Sequence, residues 1–178
     1  KAILVDLDQN ILAEANASLE VNRPFDGWSE QAPASWLDAC DAVMRQLGAS
    51  VPLYSVRGIG LSGHMHGATL VDKAGEVLRP CIMWNDTRSA VEAAELDADP
   101  RFRDLTGNIV FPGFTAPKLL WVARNEPRVF DKIAKVLLPK DYLRFWLTGH
   151  YVAEMSDAAG TSWLDTARRD WSDDLLAA

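Results

Sequence analysis

Two short runs of residues in this chain have types and spacing that could bind a polar ligand, and the first holds His64, Met65 and His66. In an extended segment residues i and i+2 point to the same side, so these two imidazoles could chelate zinc. A catalytic zinc needs a third ligand, for which His150 or the carboxylate of Asp86 would have to serve. We therefore favour a hydrogen bond from one histidine to a polar ligand, and the alternative is that both histidines are structural.

The second run, Trp84-Asn85-Asp86-Thr87-Arg88, combines an indole face with an amide, a carboxylate and a guanidinium group. This mixture suits a sugar, because apolar ring faces pack on the indole while hydroxyls exchange hydrogen bonds with the polar groups. The alternative is a helix N-terminus that Asn85 or Asp86 caps. Both roles can hold together, so the run is a candidate sugar-binding element.

Residues 58–63 match the pattern G-x-G-x-x-G in letters. A dinucleotide site needs this pattern between a strand and a helix whose N-terminus holds the pyrophosphate. Here the following residues predict a hairpin, so we expect instead a strand end at which the backbone approaches another part of the molecule closely. The chain also lacks G-x-x-x-x-G-K-[ST], which excludes a Walker nucleotide site within it.

The composition narrows the class of protein. The chain has 178 residues with 18 Lys and Arg against 25 Asp and Glu, a net charge of −7. This acidic balance argues against a nucleic-acid or anionic-membrane partner, and no run of 18 apolar residues is present to span a membrane. Cys40 and Cys81 lie too far apart for a metal or redox motif, so we expect two free thiols in a cytoplasmic protein.

The elements that must position these runs are predicted from hydrophobic period and turn residues. A hairpin is expected from strands at Ala2–Val5 and 11–21, and an amphipathic helix at 30–47 that ends at Gly48. A loop at 113–114 should lead into a helix with Lys118 on its surface, and contact of Lys118 with a phosphate group is the alternative. Further strands are predicted at 54–61, 67–72, 76–78, 81–84, 136–138 and 151–154, and helices at 87–96, 114–124 and 140–147. Hairpins followed by alternating strands and helices indicate an α/β domain with a mixed β-sheet flanked by helices.

Taken together, these segments resemble the N-terminal domain of the FGGY carbohydrate kinases, in particular the bacterial xylulokinase branch of that family. The likeness covers nearly the whole chain in order, and several of its blocks are long. It is carried by residues 28–31, 62–70, 78–88, 106–108, 112–121, 137–144 and 155–161.

This resemblance implies an actin-like, ribonuclease-H-like fold in which sugar and ATP occupy a cleft between two domains. It implies ATP-dependent phosphorylation of D-xylulose to D-xylulose 5-phosphate with Mg²⁺, a small-molecule sugar as partner and a cytoplasmic location, and it allows a homodimer. A family member acting on ribulose, a hexulose or a related polyol is the nearest alternative. A zinc hydrolase built on His64 and His66 and a non-enzymatic sugar sensor are the alternatives from other classes.

The resemblance also suggests roles for single residues. His66 should hydrogen-bond a sugar hydroxyl and Met65 should shape the pocket, while Trp84, Asn85 and Asp86 should line the same cleft. His64 stands where related enzymes are expected to have glutamine, which leaves its role open.

The family's other functional parts are expected outside residues 1–178. These parts are a first strand with a phosphate-binding glycine-threonine turn, the base aspartate, and the ATP-binding C-terminal domain. The chain is therefore expected to be an N-terminal sugar-binding domain truncated at both ends. We expect it to hold no catalytic residue, to bind neither ATP nor Mg²⁺ alone, and to be inactive by itself.

Overall fold

The structure is a computed structural model that describes residues 1–178. It consists of short strands and helices of four to eighteen residues. The strands are β1 Ala2–Val5, β2 Ile11–Ala15, β3 Glu30–Gln31, β4 Thr69–Val71, β5 Cys81–Ile82, β6 Lys135–Leu137, β7 Leu164–Asp165 and β8 Asp170–Trp171. The helices are α1 Pro33–Ser50, α2 Ala90–Asp97, α3 Pro100–Thr106, α4 Thr115–Asn125, α5 Pro127–Phe130, α6 Pro139–Thr148, α7 Met155–Ala158 and α8 Asp173–Leu176, with 3₁₀ turns at Leu53–Ser55 and Ala159–Thr161. No helix has both the length and the hydropathy needed to cross a bilayer.

The strands form antiparallel pairs, β1 with β2, β3 with β5, β4 with β6 and β7 with β8. A single bridge between Ala68 and Ile82 joins β5 to the residue just before β4. The order β3, β5, β4, β6 therefore runs through the middle of the molecule. Helices cover this group of strands, which confirms the α/β class.

Strand β4 has apolar layers on both faces. Leu70 packs in a cluster with Ile82, Leu119 and Val122, so this face meets α4. Its neighbour Val71 belongs to a second cluster on the opposite face. Successive strand residues point to opposite faces, so β4 is buried on both sides. The second cluster comprises Trp36, Val71, Cys81, Leu137 and Tyr142.

The N-terminal hairpin packs against α1 through only one face. Ala15 at the end of β2 contacts Val43 and Leu47 of α1. The turn is closed by the carboxylate of Asp6, which accepts hydrogen bonds from the backbone amides of Asp8 and Asn10. Asp and Asn favour such turns because their side chains bond to nearby backbone, and the predicted hairpin is confirmed.

Several predicted boundaries were wrong. The second strand ends at Ala15 and not at residue 21, and residues 151–154 form no strand. Helix α1 begins at Pro33, because residues 30–31 pair with β5, and it continues through Gly48.

The predicted strand at 54–61 is absent. A 3₁₀ turn occupies Leu53–Ser55, and no backbone amide from Arg57 to His66 donates to a backbone carbonyl. The expected close backbone approach is also missing, because a Cβ placed on Gly58 or Gly60 would meet nothing within 4 Å. Residues 54–61 have β-prone side chains but no neighbouring strand to hydrogen-bond with, so they form no β-strand.

Candidate functional site

The loop that precedes β4 carries the first candidate run in an unusual backbone conformation. His64 has a φ of 37° and His66 a φ of 63°. Left-handed backbone costs a non-glycine residue about 1–2 kcal/mol, so it persists only where surrounding contacts enforce it. The loop is thus not extended, and the premise that both imidazoles point to the same side for zinc chelation was wrong.

The ring of His64 fills space beneath the loop. Its centroid lies 6.1 Å from that of Trp36 on α1. A Cβ on Gly67 would lie 2.7 Å from both His64 Nε2 and Pro139 Cγ, so the imidazole, α6 and the loop are in close contact. Burial lowers the pKa of His64 to about 4, and the charge of Lys118 lowers it further. His64 is therefore a neutral packing group at neutral pH.

The ring of His66 has different neighbours. It lies 4.6 Å, centroid to centroid, from Phe114 at the start of α4, and a Cβ on Gly160 would meet its Cε1 at 2.1 Å. Burial, and then the charge of Lys118, lowers the pKa of His66. Its Nδ1 is buried without a well-aligned hydrogen-bond partner, as is Nε2 of His64, and the Gly160 backbone beside the ring partly offsets the lowering of the His66 pKa. A neutral imidazole has one donor and one acceptor nitrogen, so this ring has capacity left for a ligand.

Apolar side chains of both candidate runs are exposed to solvent. Met65 is 48% exposed and Trp84 is 52% exposed, and Asn85 is also exposed. Gly113 connects the two runs, because a Cβ there would lie 2.2 Å from the carbonyl oxygen of Trp84. The segment 111–114 thus contacts both the Trp84 backbone and the His66 ring. The sequence predicted a loop at 113–114 that leads into a helix but no part for it in the site, since aromatic and glycine residues in a loop have many uses.

Asp86 is enclosed by the protein. Its carboxylate accepts hydrogen bonds from the Ser29 amide at 2.6 Å and from the Arg88 amide at 2.9 Å. The Arg88 guanidinium also donates to both carboxylate oxygens, at 2.9 and 2.7 Å. With its side chain buried, Asp86 offers no open face to a sugar in this structure. Its hydrogen bonds instead join Ser29, the residue before β3, to Arg88, which leads into α2.

A buried group of charges surrounds Asp86. Glu30 forms ion pairs with Arg88 at 2.8 Å and with Arg79 at 2.6 Å. The Arg88 guanidinium also lies over the Trp28 ring, 3.5 Å from its centroid. Buried charges of this kind need paired partners, and here they join β3 to the Trp84–Arg88 run. The structure therefore places Trp84 and Asn85 at the surface and Asp86 and Arg88 beneath them.

The zinc hypothesis receives no support from the geometry. Residues 1–178 contain no group of three or more His, Cys, Asp or Glu side chains that could hold a metal ion. His64 and His66 pack on separate neighbours, as described above. The two runs instead combine a buried imidazole nitrogen that has no partner with half-exposed apolar side chains. Such a mixture suits a molecule that carries both hydroxyls and apolar C–H faces.

Comparison with known proteins agrees with this chemistry. The model of the FGGY family of carbohydrate kinases, N-terminal domain, matches residues 1–178. The chain is 55% identical to a xylulose kinase of Klebsiella pneumoniae and 52% identical to one of Escherichia coli, in each case over all of this chain and 37% of the relative. The chain thus spans little more than a third of the length of these relatives.

Solved structures give the same result. A xylulose kinase from Brucella ovis ("xyloylose kinase") superimposes with a TM-score of 0.97 at 63% identity, over 98% of this chain and 37% of that one. A xylulose kinase from Rhodospirillum rubrum gives a TM-score of 0.92 at 36% identity, over the same shares of the two chains. These likenesses confirm the predicted sugar-kinase fold.

Proposed function

This chain belongs to the FGGY family of carbohydrate kinases, and we propose that it forms the sugar-binding side of a kinase that transfers phosphate from ATP to D-xylulose. The observation that carries the proposal is that His66, whose buried Nδ1 has no hydrogen-bond partner, lies between the half-exposed Met65 and the 111–114 segment, which contacts the backbone of the half-exposed Trp84. Two relatives named xylulose kinase match along the whole chain, which supports D-xylulose over ribulose, a hexulose or another polyol.

In this proposal each exposed residue has a role set by its chemistry. His66 hydrogen-bonds a sugar hydroxyl, and Met65 and Trp84 pack against the carbon skeleton. The exposed amide of Asn85 can donate to or accept from a second hydroxyl. Asp86 acts from beneath by holding the run in place and is not a direct ligand in this proposal.

ATP and Mg²⁺ are proposed to bind outside residues 1–178. ATP supplies the phosphoryl group, and Mg²⁺ neutralises its charge when bound. The described residues hold no cluster fit for a metal ion, and we assign none of them to phosphate or to the catalytic base. Because the relatives are nearly three times as long as this chain, we expect residues 1–178 alone to give no xylulose-dependent ADP release. A homodimer and a cytoplasmic location remain predictions.

The test uses the full-length kinase that contains this chain. His66→Ala removes a buried hydrogen bond, worth roughly 1–3 kcal/mol, so we expect kcat/KM for D-xylulose to fall about five- to hundredfold with KM for ATP unchanged. His150→Ala, at an exposed histidine, is the matched control and should leave both parameters unchanged. A folded His66→Ala enzyme with wild-type kcat/KM for D-xylulose would reject the proposed site. Faster turnover of ribulose or a hexulose than of xylulose by the wild type would reject the proposed substrate.

A further inference from the structure

Lys118 is completely buried, although the sequence predicted a surface position for it. Its ammonium group donates to the carbonyl oxygen of His66 at 2.9 Å and to that of Gly113 at 2.6 Å. Thr115, one turn earlier on the same face of α4, donates its hydroxyl to the same His66 carbonyl at 3.1 Å. Lysine is almost never fully buried unless it is paired, so these contacts explain its place.

The shared acceptor lies in the part of the chain with the least backbone support. No backbone amide from Arg57 to His66 donates to a backbone carbonyl, and His66 itself has left-handed backbone. The next local bond, from the Gly67 amide to the Met65 carbonyl at 2.8 Å, only tightens the turn. The His66 carbonyl is thus tied to the rest of the fold by side chains from the first turn of α4.

The same ammonium group reaches the second candidate run through Gly113. Gly113 lies against the Trp84 carbonyl so closely that a Cβ on it would be 2.2 Å from the carbonyl oxygen. Lys118 therefore bonds on one side to the loop that carries Met65 and His66, and on the other to the loop that packs on Trp84. One buried amino group, whose pKa burial lowers to about 7, therefore connects the two runs.

We propose that Lys118 and Thr115 are positioning residues for the sugar site, which hold the His66 backbone in its left-handed conformation and set the spacing between His66 and Trp84. This inference rests on the proposed function for its kinetic readout, but its structural readout is independent of the substrate. Neither side chain is proposed to touch the sugar.

Thr115 offers the cleaner test, because Thr115→Val keeps the shape and removes the hydroxyl. In the full-length kinase we expect KM for D-xylulose to rise about five- to tenfold, as for one lost buried hydrogen bond, with kcat and KM for ATP changed by less than about twofold. Thr115→Ser keeps the hydroxyl and should stay close to wild type. Thr106→Val is the matched control, because the buried Thr106 hydroxyl donates to Asn108 and not to the loop.

Lys118→Met tests the second contact and should raise KM for D-xylulose by more than Thr115→Val does, about ten- to hundredfold. Hydrogen exchange at the Gly67 and Ala68 amides, which donate to the carbonyls of Met65 and Ile82, gives the readout without sugar. Both variants should speed this exchange while Thr106→Val does not. An active wild type whose Thr115→Val and Lys118→Met variants keep a normal KM would overturn the inference. A wild type without xylulose turnover would overturn the proposed function, and the exchange rates would then decide the positioning role alone.

Discussion

Strands β1 and β4 are similar in composition but differ in burial. β1 reads Ala-Ile-Leu-Val and β4 Thr-Leu-Val. All three residues of β4 are buried, whereas β1 alternates between half-buried and exposed positions. The reason is that β4 lies between α4 on one face and α1 with α6 on the other, while the hairpin meets only α1. The number of layers around a strand, and not its composition, sets its burial, and the candidate site lies at the edge of the fully layered region.

The largest expected difference between these regions comes from one substitution made in each. Leu70→Ala removes a side chain that is 0% exposed and Leu12→Ala one that is 53% exposed. We expect Leu70→Ala to lower the free energy of unfolding by about 2–5 kcal/mol and Leu12→Ala to lower it by less than about 1 kcal/mol. Urea unfolding of the 178-residue chain measures both. Equal losses would mean that the outer face of the hairpin is covered in solution.

A second pair of substitutions concerns two carboxylates, Asp86 and Asp6, that each accept several hydrogen bonds. Asp86 is buried with Arg88, and Asp6 closes the exposed hairpin turn, where bonds from Asn10 lower its pKa. Asp86→Asn leaves part of the Arg88 charge without its partner, so we expect a loss of about 2–4 kcal/mol in the free energy of unfolding. Asp6→Asn keeps an acceptor oxygen in water and should change the Tm little.

The same Asp86→Asn variant sharpens the assignment of the site. With the carboxylate turned away from solvent, KM for D-xylulose in the full-length kinase should change by less than about twofold once the variant is assayed well below its Tm. A large rise in KM for D-xylulose in a stably folded variant would show that Asp86 contacts the sugar.

A third prediction concerns pH, because burial lowers the pKa of His64 to about 4. The ordinary value of 6.5 applies to the unfolded chain, so that state takes up a proton first as the pH falls. Stability should therefore decline between pH 6.5 and 4, by about 1–2 kcal/mol after allowance for the partial exposure of the ring. His64→Gln should remove this part of the decline, and an NMR titration of the His64 ring should show a midpoint near 4. A midpoint near 6.5 would contradict the packing described for His64.

The sequence predicted well where local pattern and tertiary context agree. The hairpin turn follows from Asp6 and Asn10, and the end of α6 follows from Gly149, which has left-handed backbone. It failed where a distant partner decides the outcome. Residues 54–61 have β-prone character and no strand beside them. Lys118 has the sequence context of a surface residue, but the carbonyls of His66 and Gly113, which are distant or unmarked in the sequence, hold it in the interior.

The candidate site divides in the same way. Residue types alone suggested a polar ligand at one of the two histidines and a sugar at the Trp84 run, and the family resemblance singled out His66. Sugar binding by His66 and Trp84 stays a prediction. Residue types could not separate Asp86 from Asn85, although one is buried and the other exposed. That difference depends on Ser29 and Arg88, whose amides and guanidinium group surround the carboxylate of Asp86 only in the folded chain.

The smallest predicted effect concerns Gly58, in the segment 57–66 whose amides make no backbone hydrogen bonds. Gly58 has space around a would-be Cβ and no left-handed backbone, so Gly58→Ala should be neutral or should stabilise the 178-residue chain by up to about 1 kcal/mol, by restricting the unfolded state. Gly113→Ala is the counterpart with opposite sign, because its Cβ would meet the Trp84 carbonyl at 2.2 Å and the backbone would have to move. If Gly58→Ala also destabilised the chain in urea unfolding, residues 57–63 would have a close neighbour in solution. Residues 57–63 would then be packed and not open, unlike the description given above, and the close backbone approach predicted from their glycines would be correct.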